Sequence, residues 1–106
     1  MEGMEKKKKL IRAGKVDIDD VLGYIKDGLN YVIYSYANNE LITIKENVNK
    51  STLQKIVHNF YDITKKSLDW CVLFYEDSIV LYYLTDSYLT DNFNEYLIEI
   101  KIKKEM

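Results

Sequence analysis

The segment WCVLFYEDSIVLYYLT, residues 70–85, has apolar side chains at odd and at even positions on both sides of a short acidic break. Because successive residues of a strand point to opposite faces of a sheet, the runs 70–75 and 79–85 would be apolar on both faces. Strands of that kind lie in the interior of a sheet and need cover on each side. The turn between them falls at Glu76, Asp77 and Ser78.

A short amphipathic helix is predicted upstream, within residues 16–29. Asp17 is a suitable N-cap, and Asp19 adds negative charge where the helix dipole favours it. The apolar residues of this segment follow helical spacing, and Gly28 is a natural left-handed stop.

A longer helix is predicted within residues 48–70, VNKSTLQKIVHNFYDITKKSLDW. Ser51 and Gln54 have the spacing of a capping box. One face of this helix is apolar and consists of Leu53, Ile56, Val57, Phe60 and Ile63. The helix can therefore cover one side of a sheet.

Between the two helices, two β-rich runs flank Asn38 and Asn39, which tolerate the positive φ angles of a tight hairpin turn. With these two residues as the loop, Tyr34 would face Thr43 across the hairpin. One face of the hairpin belongs to the core, and the other is rich in tyrosine.

The last segment alternates between apolar and polar residues. Tyr96, Ile98, Ile100 and Ile102 point one way, and Leu97, Glu99, Lys101 and Lys103 point the other. Alternating charges on one wet face are typical of a strand at the edge of a sheet.

These elements predict an α+β fold with a five-stranded, mainly antiparallel sheet and two helices, in the order α-β-β-α-β-β-β. The length of 106 residues and the hydrophobic content of 47% suit one domain with its own core. We expect a basic N-terminal tail over residues 1–15 and a single domain over residues 16–106.

Charge is distributed unevenly along the chain. Residues 1–15 carry +4 and residues 101–106 carry +2, which leaves −8 on the rest and a net charge of −2. An acidic body repels nucleic acid, so only the tails are candidate polyanion contacts. In the N-terminal tail these are Lys6, Lys7, Lys8, Lys9, Arg12 and Lys15. A nucleic-acid-binding protein that uses its lysine-rich tails is therefore one functional hypothesis.

Location and origin are indicated by composition. No stretch approaches the roughly 20 apolar residues of a membrane span, and the basic run at 6–9 lacks the apolar core of a signal peptide. We expect a cytoplasmic protein with no membrane partner. The 14 Lys, 12 Ile and 10 Tyr, with no Pro, track A+T-rich codons, which fit the gene of a virus, a plasmid or a low-G+C microbe. Of these origins we expect a virus or another mobile element.

Candidates for catalysis are few. His58 is the only histidine and lies on the flank of the longer helix, while Cys71 has the surroundings of a small buried hydrophobe. The start of the first helix accounts for Asp17, Asp19 and Asp20. We therefore predict no catalytic residue, no cofactor and no metal.

A metal-dependent nuclease is nevertheless a third hypothesis. Glu99-Ile100-Lys101 is an E-x-K tripeptide that resembles the one in restriction-endonuclease-like nucleases. Positions i and i+2 place carboxylate and ammonium on one face of a strand, and Asp77 or Asp86 would be the upstream metal ligand.

The leading hypothesis is a small non-enzymatic interaction or regulatory protein that forms a homodimer. The candidate interface residues are Tyr34, Tyr36, Tyr82 and Tyr83, since tyrosine buries a large area while its hydroxyl finds a partner. The first helix or a second copy would cover the side of the sheet that the longer helix leaves bare. The alternative is that these tyrosines lie around the edge of the core and that their hydroxyls contact water. The acidic body also suits a basic surface on a host or partner protein.

Overall fold

A computed structural model of the protein describes residues 9–87 and 92–103. It is an α+β fold with a six-stranded antiparallel sheet and two helices. In chain order the elements are β1 Leu10–Gly14, α1 Ile18–Tyr24, β2 Tyr31–Ala37, β3 Glu40–Val48, α2 Lys50–Thr64, β4 Asp69–Tyr75, β5 Ser78–Asp86 and β6 Phe93–Ile102. The strands lie side by side in the order β1-β4-β5-β6-β2-β3. The predicted α+β class, with a mainly antiparallel sheet and two helices, is confirmed.

β4 and β5 are interior strands, as the sequence predicts. They pair with each other from Asp69 and Leu84 to Phe74 and Ile79. Their outer edges pair with β1 and β6. Because both edges are occupied, the backbone groups of this ribbon find partners within the sheet, and its side chains project from both faces.

The sheet has six strands rather than the predicted five. The additional strand, β1, lies within residues 1–15, where the lysines suggested only a basic tail. Leu10 pairs with Tyr75, and Ala13 pairs with Leu73. This five-residue strand is stabilised by the hydrogen bonds that it adds to the outer edge of β4, which is a tertiary effect rather than a local preference.

β6 is a central strand, and the prediction of an edge strand is wrong. It pairs with β5 on one side and with β2 on the other, where Tyr31 faces Ile102. The alternating charges of Glu99 and Lys101 therefore mark an uncovered face of the sheet, not an uncovered edge.

α1 is shorter than predicted. It begins after Asp17, whose side chain makes no capping hydrogen bond, and it ends after seven residues, well before Gly28. Ile25 is already extended and buried. The Lys26 N–H donates to the Tyr31 hydroxyl at 2.9 Å instead of to a helix carbonyl. A tertiary hydrogen bond thus replaces the last helical turn.

The β2–β3 hairpin turns at Asn38 and Asn39, as predicted, with φ angles of 51° and 68°. These left-handed angles are typical of the tight turns that match strand twist. An irregularity beside the turn shifts the register, so Tyr34 faces Ile44 rather than the predicted Thr43. An extra residue on one strand has this effect because all later pairs move with it.

Asn38 also ties the hairpin turn to the start of β6. Its backbone N–H donates to the Glu95 carbonyl at 2.7 Å. In return, the Glu95 N–H donates to the side-chain oxygen of Asn38 at 2.8 Å. The turn residue thereby fixes the backbone of Glu95.

The N-cap of α2 lies two residues before the predicted cap. The N-cap is Asn49, not Ser51, and its side-chain oxygen accepts from the Thr52 N–H at 3.0 Å. Asparagine is as good a cap as serine, so the upstream residue extends the helix. Of the predicted apolar face, three residues are fully buried: Leu53, Val57 and Phe60.

Both helices lie on the same face of the sheet, which we name the helix face. α1 contacts α2, the Tyr61 hydroxyl of α2 donates to the Val16 carbonyl at 2.6 Å, and Tyr24 of α1 meets Phe74 of β4 edge-on at 5.2 Å. The core between helices and sheet consists of Val16, Val21, Ile25, Tyr31, Ile33, Val48, Leu53, Val57, Phe60, Val72, Phe74, Ile79, Leu81 and Ile100. The prediction that the longer helix covers one side of the sheet is confirmed.

Replacing Phe60 with alanine should lower the free energy of unfolding by about 3–5 kcal/mol, because a fully buried aromatic ring leaves a cavity. The ring lies 6.0 Å from the rings of Trp70 and Tyr83. Urea unfolding measures the change. Asn59→Ala, at an exposed position of the same helix, should shift the free energy by less than about 0.5 kcal/mol. Equal effects of the two variants would contradict this packing.

Candidate functional site

The face of the sheet opposite the helices, named here the open face, is covered by no described helix or strand. The register places its side chains in rows across the sheet. One row consists of Leu73, Val80, Glu99, Tyr34 and Ile44, and the next of Cys71, Tyr82, Leu97, Tyr36 and Leu41. Most members of both rows are apolar or aromatic, which makes this surface the main candidate for binding.

A groove of about 650 Å³ runs along the open face. Its volume lies within the range of roughly 300–1,000 Å³ that ligand pockets occupy. It is lined by three tyrosines, two carboxylates and smaller apolar and polar groups: Tyr36, Tyr75, Tyr82, Glu95, Glu99, Val80, Leu97 and Asn39. Apolar contact and negative charge therefore lie within one depression.

Tyr82 and Glu95, which both line the groove, form a hydrogen bond between their side chains. The Tyr82 hydroxyl donates to Glu95 Oε2 at 2.7 Å. This hydrogen bond, with burial and the charge of Glu95, raises the pKa of Tyr82 from 10.0 to about 12. The phenol therefore stays neutral, and the carboxylate stays anchored, throughout the physiological pH range.

Three of the four predicted interface tyrosines lie on the open face. They are Tyr34, Tyr36 and Tyr82, which share that face through the pairing of β5, β6 and β2. Tyr83 lies on the helix face, where its ring stacks on Tyr96 at 4.9 Å. The structure therefore separates Tyr83 from the other three.

Sequence reasoning missed Tyr75, which lines the groove. Its position follows from strand alternation in β4, because Cys71, Leu73 and Tyr75 must point the same way. Because Val72 and Phe74 belong to the core on the helix face, the residues between and beside them, including Tyr75, lie on the open face. Tyr75 thus takes the place of Tyr83 among the tyrosines of the open face.

Charged side chains follow the open face along β6. Glu95 and Glu99 line the groove, while Lys101 lies beyond it in a second depression of about 340 Å³. Among the described residues, no hydrogen bond or ion pair holds the Lys101 ammonium. Lys103 differs, because its Nζ lies 2.9 Å from Asn47 Oδ1 and 3.8 Å from Glu46 Oε1. On the open face β6 thus carries two carboxylates, Glu95 and Glu99, followed by a base that no described residue pairs.

The predicted polyanion contacts are only partly described by the structure. Lys6, Lys7 and Lys8 lie outside the described residues, and Lys9 is exposed. Arg12 pairs with Asp20 at 3.2 Å. Lys15 pairs with Asp69 at 2.8 Å, and this contact holds the pKa of Asp69 below its ordinary value. Two of the six predicted contacts are therefore already engaged by carboxylates.

Of the residues weighed for catalysis, His58 is exposed on α2. Cys71 is half-buried on the open face, and burial raises the pKa of its thiol, which disfavours a reactive thiolate. Within the described residues, no group of three or more His, Cys, Asp or Glu side chains is placed to hold a metal ion.

The E-x-K residues lie on a central strand but in separate depressions. Glu99 lines the groove, whereas Lys101 and Asp77 line the second depression. Asp86 lies at the far end of β5, opposite Phe93. The structure therefore does not bring Glu99, Lys101 and an upstream aspartate into one pocket.

No protein family, curated protein or solved structure that was compared with the chain matches it. Neither described helix combines the length and the apolar character that crossing a membrane requires. The geometry of the open face is the basis for the function proposed below.

Glu95→Gln should lower the pKa of Tyr82, since it removes the charge that favours the neutral phenol. In the wild type, the folded-state pKa of about 12 exceeds the ordinary value of 10.0. The contribution of Tyr82 to the stability of the folded state is therefore complete below about pH 10 and is lost as the pH rises through 12. Titration of tyrosinate absorbance measures the shift. Burial raises the pKa of Tyr61 to about 12 as well, so Tyr82→Phe identifies which transition belongs to Tyr82. An unchanged titration of Glu95→Gln would contradict this hydrogen bond.

Proposed function

We propose that the protein is a small non-enzymatic interaction module that works as a homodimer, with the open faces of two copies packed together. The observation that carries this proposal is the position of β4 and β5, which are interior strands with apolar residues on both faces. Both helices lie on the helix face. Each Å² of apolar surface removed from water contributes about 25 cal/mol, so a second layer on the open face is favourable.

The composition of the open face suits a protein interface. Tyr36, Tyr82 and Leu97 are adjacent in one row across three strands. Interface centres are enriched in aromatic residues and depleted of charge. The row that contains these three residues carries no charged side chain, so it has the character of an interface core, with Glu95 and Glu99 on either side of it.

The size of the open face also suits a dimer. Six strands spaced about 4.8 Å apart, and about seven residues long, give a surface of roughly 24 by 23 Å. The projected area of roughly 550 Å² grows when side-chain relief is included, and standard interfaces bury about 800 Å² on each partner. The area of the open face is therefore close to the area that each partner buries in a stable dimer.

A second copy is the occupant that the charges favour. Glu95 and Glu99 repel a polyanion such as nucleic acid, while Lys101 adds the opposite sign to the same strand. A face that carries both signs at different positions along one strand is complementary to its own copy in the right orientation. The apolar middle of a second copy likewise matches the apolar middle of the first.

Light scattering after size-exclusion chromatography should give twice the 12.6 kDa of one chain at micromolar concentration. Leu97→Glu should raise the dimer dissociation constant at least tenfold, because it buries a carboxylate in the middle of the interface. Asn59→Glu adds the same charge at an exposed position of α2 and should leave the dimer intact. Thermal melts confirm that both variants are folded.

A wild-type chain that stays monomeric over this range would overturn the proposal. So would a dimer that both variants weaken equally. If the monomer instead binds polylysine and Glu95→Lys abolishes that binding, the open face belongs to a basic partner and self-association is again overturned.

A further inference from the structure

The charges on the open face reverse sign along β6. Glu95 lies six positions before Lys101, about 20 Å away along an antiparallel strand, and Glu99 lies between them on the same face. The ammonium of Lys101 has no hydrogen bond or ion pair within the part of the chain that the structure describes. The neighbouring Lys103 is held by Asn47 at 2.9 Å. Lys101 is thus the cation of this face that is available to another molecule.

Two kinds of two-fold axis can bring the open faces of identical sheets together. An axis parallel to the strands lays each end of β6 on the same end of its copy, so that Glu95 meets Glu95 and Lys101 meets Lys101. An axis across the strands reverses one sheet, so that Glu95 of each copy meets Lys101 of the other. Like charges in apposition cost free energy and suppress the first arrangement. The charge pattern therefore selects the reversed arrangement.

We propose that the groove of each copy binds the Lys101 side chain of the second copy in this reversed dimer, with the ammonium beside Glu95 and Tyr82. This inference rests on the proposed self-association and specifies its orientation and its central polar contact. Two-fold symmetry makes the contact twice in every dimer.

The chemistry of the groove suits a lysine side chain. The methylene stem packs on apolar groups such as Leu97, and the tyrosine rings attract a cation through their faces. Glu95 accepts one hydrogen bond from Tyr82, and a carboxylate has acceptor sites for several more. Facing sheets lie about 10 Å apart, which a lysine and a glutamate span from opposite sides.

Lys101→Met tests the contact because methionine keeps an unbranched apolar stem and removes the charge. We expect the dissociation constant of the dimer to rise at least tenfold, measured by sedimentation over a dilution series. Lys103→Met is the matched control, since that ammonium is already held by Asn47 and Glu46, and it should change the constant less than threefold. Equal effects of the two variants would overturn the inference.

Charge exchange provides a second, independent test. Glu95→Lys alone and Lys101→Glu alone each place like charges together twice, and each should weaken the dimer more than Lys101→Met does. The double variant restores opposite charges and should return the dissociation constant to within about tenfold of wild type. A double variant no tighter than its weaker parent would overturn the inference, provided that melts show all three to be folded.

The failure of this inference is distinguishable from the failure of the proposed function. If the wild type is a dimer that Leu97→Glu disrupts while every Lys101 variant dimerises normally, self-association stands and the lysine contact is overturned. If the wild type is a monomer, both are overturned.

Discussion

Burial of the β4–β5 ribbon is the constraint on which the rest of the structure depends. Its residues are apolar in both directions, so one layer of helices satisfies only half of what this ribbon requires. Phe60 and the other buried residues of α2 cover the helix face. The open face keeps its tyrosines and leucines with no described element above them, and the interaction hypothesis follows from that asymmetry.

Tyrosine hydroxyls have different roles on the two faces. On the helix face they fasten the chain around α1. Tyr61 donates to Val16, Tyr31 accepts from the N–H that follows the helix, and Tyr24 donates to the Tyr75 carbonyl. On the open face Tyr82 anchors a carboxylate instead. Tyrosine thus stabilises the packing around α1 on the helix face, whereas on the open face it positions the carboxylate of Glu95 for contact with another molecule.

Much of the fold could be predicted from the sequence because its signals are local. The apolar face of α2, the paired asparagines of the hairpin and the two-sided ribbon each lie within one short segment. Residue pairing across the sheet could not be predicted in the same way. β1 is ordered only by the edge of β4, and the central place of β6 depends on β2, which lies about sixty residues earlier in the chain.

The candidate site shows the same division between local and distant information. The alternation within a strand decides which residues of that strand share a face, and it groups Tyr34 with Tyr36. Their place beside Tyr82 follows from the pairing of three strands. It cannot decide which face the helices cover, and the assignment of Tyr83 and the omission of Tyr75 follow from that gap. The groove itself needs side chains from four strands at once, so no single segment of sequence contains it.

Asn38 contributes to two features of the molecule, the hairpin turn between β2 and β3 and the position of Glu95 at the start of β6. The same residue sets the left-handed turn of the hairpin and clamps the backbone of Glu95, the acidic end of the open face. Glycine there would keep the turn, since it adopts positive φ freely, and would keep the backbone hydrogen bond to the Glu95 carbonyl, but it would lose the side-chain hydrogen bond to the Glu95 N–H. Because Asn38 contacts only the backbone of residue 95, these two contacts restrict the choice of residue at 38 and leave the side chain at 95 free to change.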